Sequence, residues 1–112
     1  MGTEETHDIH LQELRRGTVV LACLRLLSEP GYGYGLLEAL QARGFDTDAN
    51  TLYPLLRRLE KQGLLTSEWN TEESRPRKFY LTSADGLALA ETLSTDFTAL
   101  HSALVTLKEE TR

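Results

Sequence analysis

Two short groups of basic and amide side chains are the residues of this chain best suited to bind a ligand. The first group is Asn50, Arg57 and Lys61, which recur at helical spacing. The second is the run Arg75-Pro76-Arg77-Lys78. Asparagine and arginine can each form two hydrogen bonds to the edge of a base, and lysine binds phosphate as a point charge. The two groups therefore predict contact with a nucleic acid.

The overall charge of the 112-residue chain is −5, which by itself argues against a nucleic-acid binder. Its distribution matters more, because a phosphate backbone responds to a local patch and not to the sum over the chain. Basic residues outnumber acidic ones only in residues 43–82, by seven to six, and five of the seven lie in the two groups described above. The acidic sum is thus compatible with a cationic binding surface.

Composition excludes several other classes of protein. Hydrophobic residues make up 40% of the chain and charged residues 26%, which is typical of a folded domain. No apolar stretch is long enough to span a bilayer, and a single cysteine, Cys23, can form neither an internal disulfide nor a cysteine zinc site. His7, His10 and His101 have no serine or cysteine partner at catalytic spacing. We expect a cytoplasmic protein that is not an enzyme, needs no cofactor or metal and does not bind membranes.

Hydrophobic periodicity and breaker residues predict the order helix, helix, helix, hairpin, long helix. The predicted helices are 9–28, 34–43, 49–62 and 82–110, and the predicted strands are 64–70 and 77–81. Thr82 is the predicted N-cap of the last helix, and the glycine-rich run 31–35 is interpreted as a turn that lets two helices approach closely. This order is the layout of a winged helix-turn-helix.

The predicted fold class is therefore mainly α with a β-hairpin wing (α+β), a winged helix-turn-helix domain followed by a long C-terminal dimerisation helix. The predicted boundaries are a flexible N-terminal tail at 1–8, the DNA-binding domain at 9–82 and the dimerisation helix at 83–112. The basic tip of the hairpin, residues 71–78, is the predicted wing.

The third predicted helix has an apolar face and a polar face when its residues are placed at 100° intervals. Its apolar face is formed by Leu52, Leu55, Leu56 and Leu59. Its polar face is formed by Asn50, Pro54, Arg57 and Lys61, with Tyr53 at the border. Two N-caps are compatible with the position of Pro54: Asp48, which leaves a backbone carbonyl unpaired, or Thr51, which places the proline in the first turn.

The last helix carries a heptad pattern with spacings of 3, 4, 3, 4 and 3 residues, which is typical of a helix that pairs with another. The apolar positions are Ala90, Leu93, Phe97, Leu100, Leu104 and Leu107. We predict a homodimer formed through Leu93, Phe97, Leu100, Leu104 and Leu107. An alternative is that this stripe folds back on its own domain.

Four segments together resemble the PadR family of transcriptional regulators. They are Gly33-Tyr34, the run Asn50 to Glu60 (NTLYPLLRRLE), Gly63-Leu64-Leu65 and the run Arg75 to Thr82 (RPRKFYLT). The resemblance extends over about residues 14–93 and implies a bacterial, dimeric winged-helix repressor. It also implies that Asn50, Thr51, Tyr53 and Arg57 face DNA and that Arg75, Arg77 and Lys78 belong to the wing. With the remaining bases of the third helix, the predicted DNA-binding residues are Asn50, Thr51, Tyr53, Arg57, Arg58, Lys61, Arg75, Arg77 and Lys78.

The chain departs from the family pattern at two places. Tyr32 stands where many relatives have histidine, and Ala49-Asn50 replaces a frequent Pro-Gly. Some relatives bind flat aromatic drugs through a tryptophan on the last helix, whereas the only tryptophan here is Trp69, on the first strand of the hairpin. A small-molecule inducer is therefore left open and unidentified.

The predicted function is a dimeric, sequence-specific regulator that represses transcription. It would bind a pseudo-palindromic operator in double-stranded DNA, with helix 49–62 in the major groove and the wing 71–78 on the backbone or in the minor groove. The alternative from another class is a winged-helix module that binds an acidic protein and does not read DNA. Cys23 is interpreted as a buried, inert thiol and not as a redox sensor.

Overall fold

A computed structural model describes residues 2–72 and 74–111 of the chain, so Met1 of the predicted tail, Glu73 of the predicted wing and Arg112 of the predicted last helix lie outside the described residues. The elements in chain order are α1 (Thr3–Leu26), β1 (Gly31–Tyr32), α2 (Gly33–Ala42), α3 (Ala49–Lys61), β2 (Leu65–Asn70), β3 (Arg77–Thr82) and α4 (Ala84–Glu110). The predicted order of three helices, a hairpin and a long helix is confirmed.

A leucine-rich core holds the helices to the sheet. Each of the three layers contributes: the C-terminal part of α1, the inner sides of α2 and α3, and the inner face of the hairpin. Its largest fully buried side chains are Leu24, Leu27, Leu40, Leu52, Leu56, Leu59, Leu65 and Cys23. Each buried leucine stabilises the fold by about 1.5–3 kcal/mol relative to an exposed one, so this cluster determines how the elements are oriented.

The N-terminus of α3 is capped by Asp48. Its carboxylate accepts a hydrogen bond from the Thr51 backbone N–H at 2.9 Å. Of the two predicted N-caps, the structure has Asp48, and Pro54 therefore lies inside the helix. Because proline has no N–H, the Asn50 carbonyl lacks its usual helical donor, but Asn50 is exposed and water can bind this oxygen.

The sheet has three strands in the order β1-β3-β2, all antiparallel. The hairpin of β2 and β3 was predicted, but β1 was not. Gly31 and Tyr32 pair with Tyr80 and Phe79 of β3, and Gly33 begins α2. The interpretation of 31–35 as a turn was therefore wrong, because these residues form a strand followed directly by a helix. A strand of two residues carries no alternation of polar and apolar side chains, and it forms only because β3 offers a free edge to it.

Helix α3 begins at Ala49 as predicted, whereas the other three helix starts differ, that of α2 by a single residue. Helix α1 begins at Thr3, six residues before the predicted start at Ile9, so residues 3–8 of the predicted tail are helical. This segment has no apolar periodicity, but Glu4 and Glu5 lie in the first turn, where acidic side chains interact favourably with the helix dipole.

Helix α4 is capped by Ser83, not by the predicted Thr82. The Ser83 hydroxyl accepts a hydrogen bond from the Gly86 N–H at 3.0 Å. Thr82 instead ends β3, and its buried hydroxyl donates to the Leu24 carbonyl at 2.8 Å while its N–H donates to the Leu27 carbonyl at 2.7 Å. These bonds to α1 hold Thr82 in the core, so the cap moves one residue along the chain.

Gly86 marks a close approach between the first turn of α4 and the residue before β2. A Cβ at this position would clash with the Leu64 carbonyl oxygen and with the Thr82 methyl group at 2.6 Å. The same carbonyl accepts the Ser83 N–H at 3.0 Å, so it cannot move without breaking this bond.

We expect Gly86→Ala to lower the free energy of unfolding by about 2–3 kcal/mol, because the backbone must shift to accommodate the methyl group. Gly35→Ala is the matched control. A Cβ at Gly35 meets nothing within 4 Å, and the change to alanine in a helix should raise the stability by up to about 1 kcal/mol. Urea unfolding at one protein concentration measures both. Equal stabilities for the two variants would contradict the close approach.

Candidate nucleic-acid interface

Helix α3 presents one polar side to solvent. Its four leucines are buried, as predicted. Asn50, Pro54, Arg57 and Lys61 are all exposed and form what we call the outward face of α3. One amide and two cations thus lie along about three turns of an exposed helix, which has the size and chemistry to enter a major groove.

Tyr53 lies at the border of this face, where the sequence placed it. Its side chain is half-buried against the start of α2, since a Cβ on Gly33 would be only 2.6 Å from Tyr53 Cε1. Any side chain at position 33 would overlap the tyrosine ring, so only glycine fits there. The ring connects the two helices of the helix-turn-helix unit, and only part of it is accessible.

Thr51 and Arg58 lie on the other flank of α3 and not on its outward face. Both line a cleft of about 510 Å³ between α3 and α1, and Arg15 and Arg16 line it from α1. Thr51 and Arg58 are thus exposed residues that border this cleft, which Pro54 of the outward face also lines, whereas Asn50, Arg57 and Lys61 do not line it.

Arg77 and Lys78 extend from opposite faces of β3, because successive side chains of a strand alternate. The Arg77 guanidinium lies 3.7 Å from the centre of the Tyr32 ring. The Tyr32 hydroxyl accepts a hydrogen bond from Asn70 Nδ2 at 2.8 Å, and the ring makes an edge contact with Phe79. Tyr32, one of the departures from the family pattern, thereby joins β1 to both strands of the hairpin.

Lys78 is directed towards α3. Its Nζ lies 3.2 Å from Glu60 Oε1, and both side chains are about one-third exposed. The Ser67 hydroxyl donates to the other oxygen of Glu60. Hydrogen bonding by Ser67, with a smaller contribution from Lys78, lowers the pKa of Glu60 below its ordinary value, and partial burial opposes this shift. The three side chains connect α3 to both strands of the hairpin.

Glu60 was not among the predicted functional residues. It is the single acidic residue of α3, and it sits between the apolar and outward faces of that helix. An acid on the flank of an otherwise basic helix was the available signal, but it does not reveal which base it pairs with. Arg75, the remaining predicted wing residue, is exposed in the segment between β2 and β3.

The structure also bears on the reactivity of Cys23, on metal sites and on membrane spans. Burial raises the pKa of the Cys23 thiol to about 12, so it is protonated at neutral pH and is a poor nucleophile. In the described part of the chain, no three histidine, cysteine or acidic side chains come together as a metal site. No helix of residues 2–72 and 74–111 combines the length and apolarity needed to cross a membrane.

An exposed helix of a helix-turn-helix pair, flanked by a basic antiparallel hairpin, defines a winged-helix protein. Comparison with known proteins agrees. Residues 20–92 match the model of the transcriptional regulator PadR-like family. The chain therefore belongs to the PadR-like family of transcriptional regulators, which are DNA-binding proteins.

Individual relatives support the same assignment. The chain is 34% identical over 79 residues to the transcriptional regulator Rv3488 of Mycobacterium tuberculosis, covering 70% of this chain and 74% of that protein. A PadR family transcriptional regulator from Eggerthella lenta is 43% identical, with 93% of each chain covered and a TM-score of 0.88. A PadR-like regulator from Bacillus cereus is 26% identical, with 85% and 95% covered and a TM-score of 0.76.

The lowered pKa of Glu60 leads to a prediction about stability and pH. Unfolded glutamate titrates near pH 4.3, and the folded protein binds this proton less tightly. The contacts of Glu60 thus stabilise the fold fully above this pH, and their contribution disappears as the pH falls through the lowered value. We expect Glu60→Gln to be less stable than the wild type at pH 7 and the difference to shrink towards pH 3.

Thermal or urea unfolding between pH 3 and pH 7 measures this difference. Glu38→Gln, a change at an exposed position of α2, is the matched control. The quantity to compare is the loss of stability relative to the wild type as a function of pH. If this loss has the same pH profile in both variants, the Ser67 and Lys78 contacts do not stabilise the charged form of Glu60.

Proposed function

We propose that this regulator is a homodimeric repressor that binds a pseudo-palindromic operator. The outward face of α3 lies in the major groove, and the wing 71–78 contacts the backbone or the minor groove. The observation that carries the proposal is the division of α3 into four buried leucines and an exposed row of Asn50, Arg57 and Lys61. Arginine and asparagine pair preferentially with guanine and adenine, which gives the helix a means of reading sequence.

In this proposal, the wing and the residues beside the outward face of α3 bind phosphates and not bases. Thr51, Tyr53 and Arg58 lie beside the outward face and contact the phosphates that border the groove. Arg75 and Arg77 are exposed on the hairpin, where they can reach the next phosphates. Lys78 is paired with Glu60, so we assign it chiefly to the position of the wing. Phosphate contacts set affinity and register, whereas base contacts determine the sequence that is bound.

Helix α4 supports a dimer. Its 27 residues span about 40 Å, longer than the domain that it leaves. Leu93 packs on the core, but the seam beyond it is open to solvent. The exposed fractions are 53% for Phe97, 57% for Leu100, 60% for Leu104 and 53% for Leu107. A stripe of four large apolar side chains along one helix is the pattern that a second copy of the helix buries.

The N-terminal half of α1 also exposes apolar side chains. Ile9, Leu11 and Leu14 are exposed there, and α1 is joined to α4 through Arg25, which bonds to Glu91 at 2.9 Å and to Ser94 at 3.0 Å. We infer that both helices contribute to the dimer. A two-fold dimer would place two α3 helices on half-sites about 34–36 Å apart. Repression would follow where the operator overlaps a promoter, because the bound dimer would block RNA polymerase. We propose that the protein acts in the cytoplasm.

The first test concerns base reading by Arg57. We expect Arg57→Ala to weaken binding by about 1–3 kcal/mol and to relax base preference at one position of each half-site. Arg57→Lys is the matched control for charge. It should keep the salt dependence of the wild type but show a weaker base preference, because lysine lacks the planar, rigid fork of donors that arginine presents to guanine. Selection from a random duplex library, followed by titration at several salt concentrations, measures both.

The same titrations separate the two classes of function. A protein that neutralises several phosphates should lose on the order of 10³-fold in affinity between 50 and 200 mM salt. If the wild-type protein selects no sequence and binds DNA only weakly at 50 mM salt, the repressor proposal fails and the alternative, a module that binds an acidic protein, is favoured.

The second test concerns the dimer. We expect Phe97→Asp to give monomers, since a carboxylate in the middle of the α4 seam would have to be buried without a partner. Specific DNA affinity should fall with it, because a monomer holds only one half-site. Ser102→Asp introduces the same charge on the opposite side of α4 and should remain dimeric. Sedimentation equilibrium measures the mass, and a monomeric variant that keeps full operator affinity would contradict the proposal.

A further inference from the structure

We propose that Trp69, which the sequence did not place in the interface, binds the sugar-phosphate backbone of DNA beside the groove that α3 occupies. The indole ring packs on a deoxyribose and its N–H donates to a phosphate oxygen. The inference rests on the proposed function, since it needs α3 to be docked on a duplex. It assigns to this chain a DNA contact that does not depend on the base sequence.

The register of the hairpin establishes which way Trp69 faces. Leu65, two strand positions before Ser67, is buried in the core, and the Ser67 hydroxyl donates to Glu60 of α3. Side chains two residues apart in a strand share a face, so Trp69 extends from the same side of the sheet as these two, the side that faces α3. Its partner across the strands is Lys78, which also contacts Glu60.

The exposure of Trp69 is unusual for its residue type. The core on this face of the sheet ends at Tyr80, which is 5% exposed, whereas Trp69 is 63% exposed. Tryptophan is highly buried on average and is enriched at interfaces, where its apolar ring and its single N–H donor both find partners. Trp69 therefore stands just beyond the core, at the place where the hairpin passes α3.

The chemistry of this location suits the DNA backbone. Indole offers a flat apolar surface and a single donor, and it cannot accept a hydrogen bond. Each nucleotide matches both features, because its sugar offers an apolar edge to the ring and its phosphate offers an anionic oxygen to the N–H. Glu60 lies on this face but is paired with Lys78, which reduces its repulsion of phosphate. Arg57 and Lys61 on the outward face of α3 supply the attraction that brings the duplex in.

The experiment uses the full chain and its best duplex from the random library, labelled with fluorescein so that binding is followed by anisotropy and not through tryptophan. Trp69 is the only tryptophan of the chain, so its own emission reports on this one position. In the saturated complex we expect Trp69 emission to be shielded from acrylamide at least twofold relative to the free protein.

Affinity should change with the size and chemistry of the side chain. We expect Trp69→Ala to weaken binding about tenfold, as is common for a tryptophan in the centre of an interface. Trp69→Phe, which keeps the packing but loses the donor, should weaken it about threefold. For each variant, the loss of affinity should be the same for every DNA sequence tested. The slope of log affinity against log salt should stay unchanged, because no charge is removed, whereas Arg75→Ala, which removes a proposed phosphate contact, should lower it by about one.

Leu81→Ala is the matched control, because Leu81 is also exposed but lies on the opposite face of the same sheet. It should bind within twofold of the wild type. Circular dichroism and the melting temperature establish that the variants are folded. A changed salt slope in Trp69→Ala would show that the wing had moved and would overturn the proposal.

The failure of this inference differs from the failure of the proposed function. If the wild type binds its duplex tightly while Trp69 stays as accessible to acrylamide as in the free protein, the protein reads DNA and Trp69 does not contact it. If the wild type shows no salt-dependent DNA binding, the proposed function itself fails and the inference fails with it.

Discussion

The burial of four leucines on one side of α3 is the constraint on which the rest of the structure depends. Leu52, Leu55, Leu56 and Leu59 join a single core with α1, α2 and the hairpin. Turning α3 by half a revolution would expose all four, at a cost on the order of 10 kcal/mol. This exceeds any gain from the polar face, so the rotation of α3 is settled by its apolar side. Asn50, Arg57 and Lys61 point outward as a consequence.

A second set of interactions, all polar, holds the hairpin in place beside α3. Glu60 contacts Ser67 of β2 and Lys78 of β3, so one carboxylate joins the helix to both strands. On the other face of the sheet, the Tyr32 hydroxyl and ring contact Asn70 and Arg77. Hydrogen bonds and ion pairs require narrow distances and directions, so these contacts fix the position of the hairpin more narrowly than packing alone would.

The parts that could be predicted follow from periodicity. The heptad of α4 and the amphipathic pattern of α3 are local properties of the chain, and the structure has both helices with the predicted sides of α3 buried and exposed. The family could be recognised for the same reason, since its motifs lie in contiguous runs. The cap of α4 was predicted one residue early because a threonine and a serine in succession both satisfy the local rule, and only the contact of Thr82 with Leu24 decides between them.

The sequence by itself determined the winged-helix order, the buried side of α3 and the basic character of the opposite side, because each of these depends on residues within a few turns of one another. Tertiary structure alone decided that β1 pairs with β3, that Lys78 bonds to Glu60 while Arg77 stacks on Tyr32, and that Arg58 borders the cleft between α3 and α1. Some of these contacts join residues that are far apart in the chain. Others involve a residue for which the sequence offers several partners. The core makes this choice, because its packing determines which elements lie next to one another.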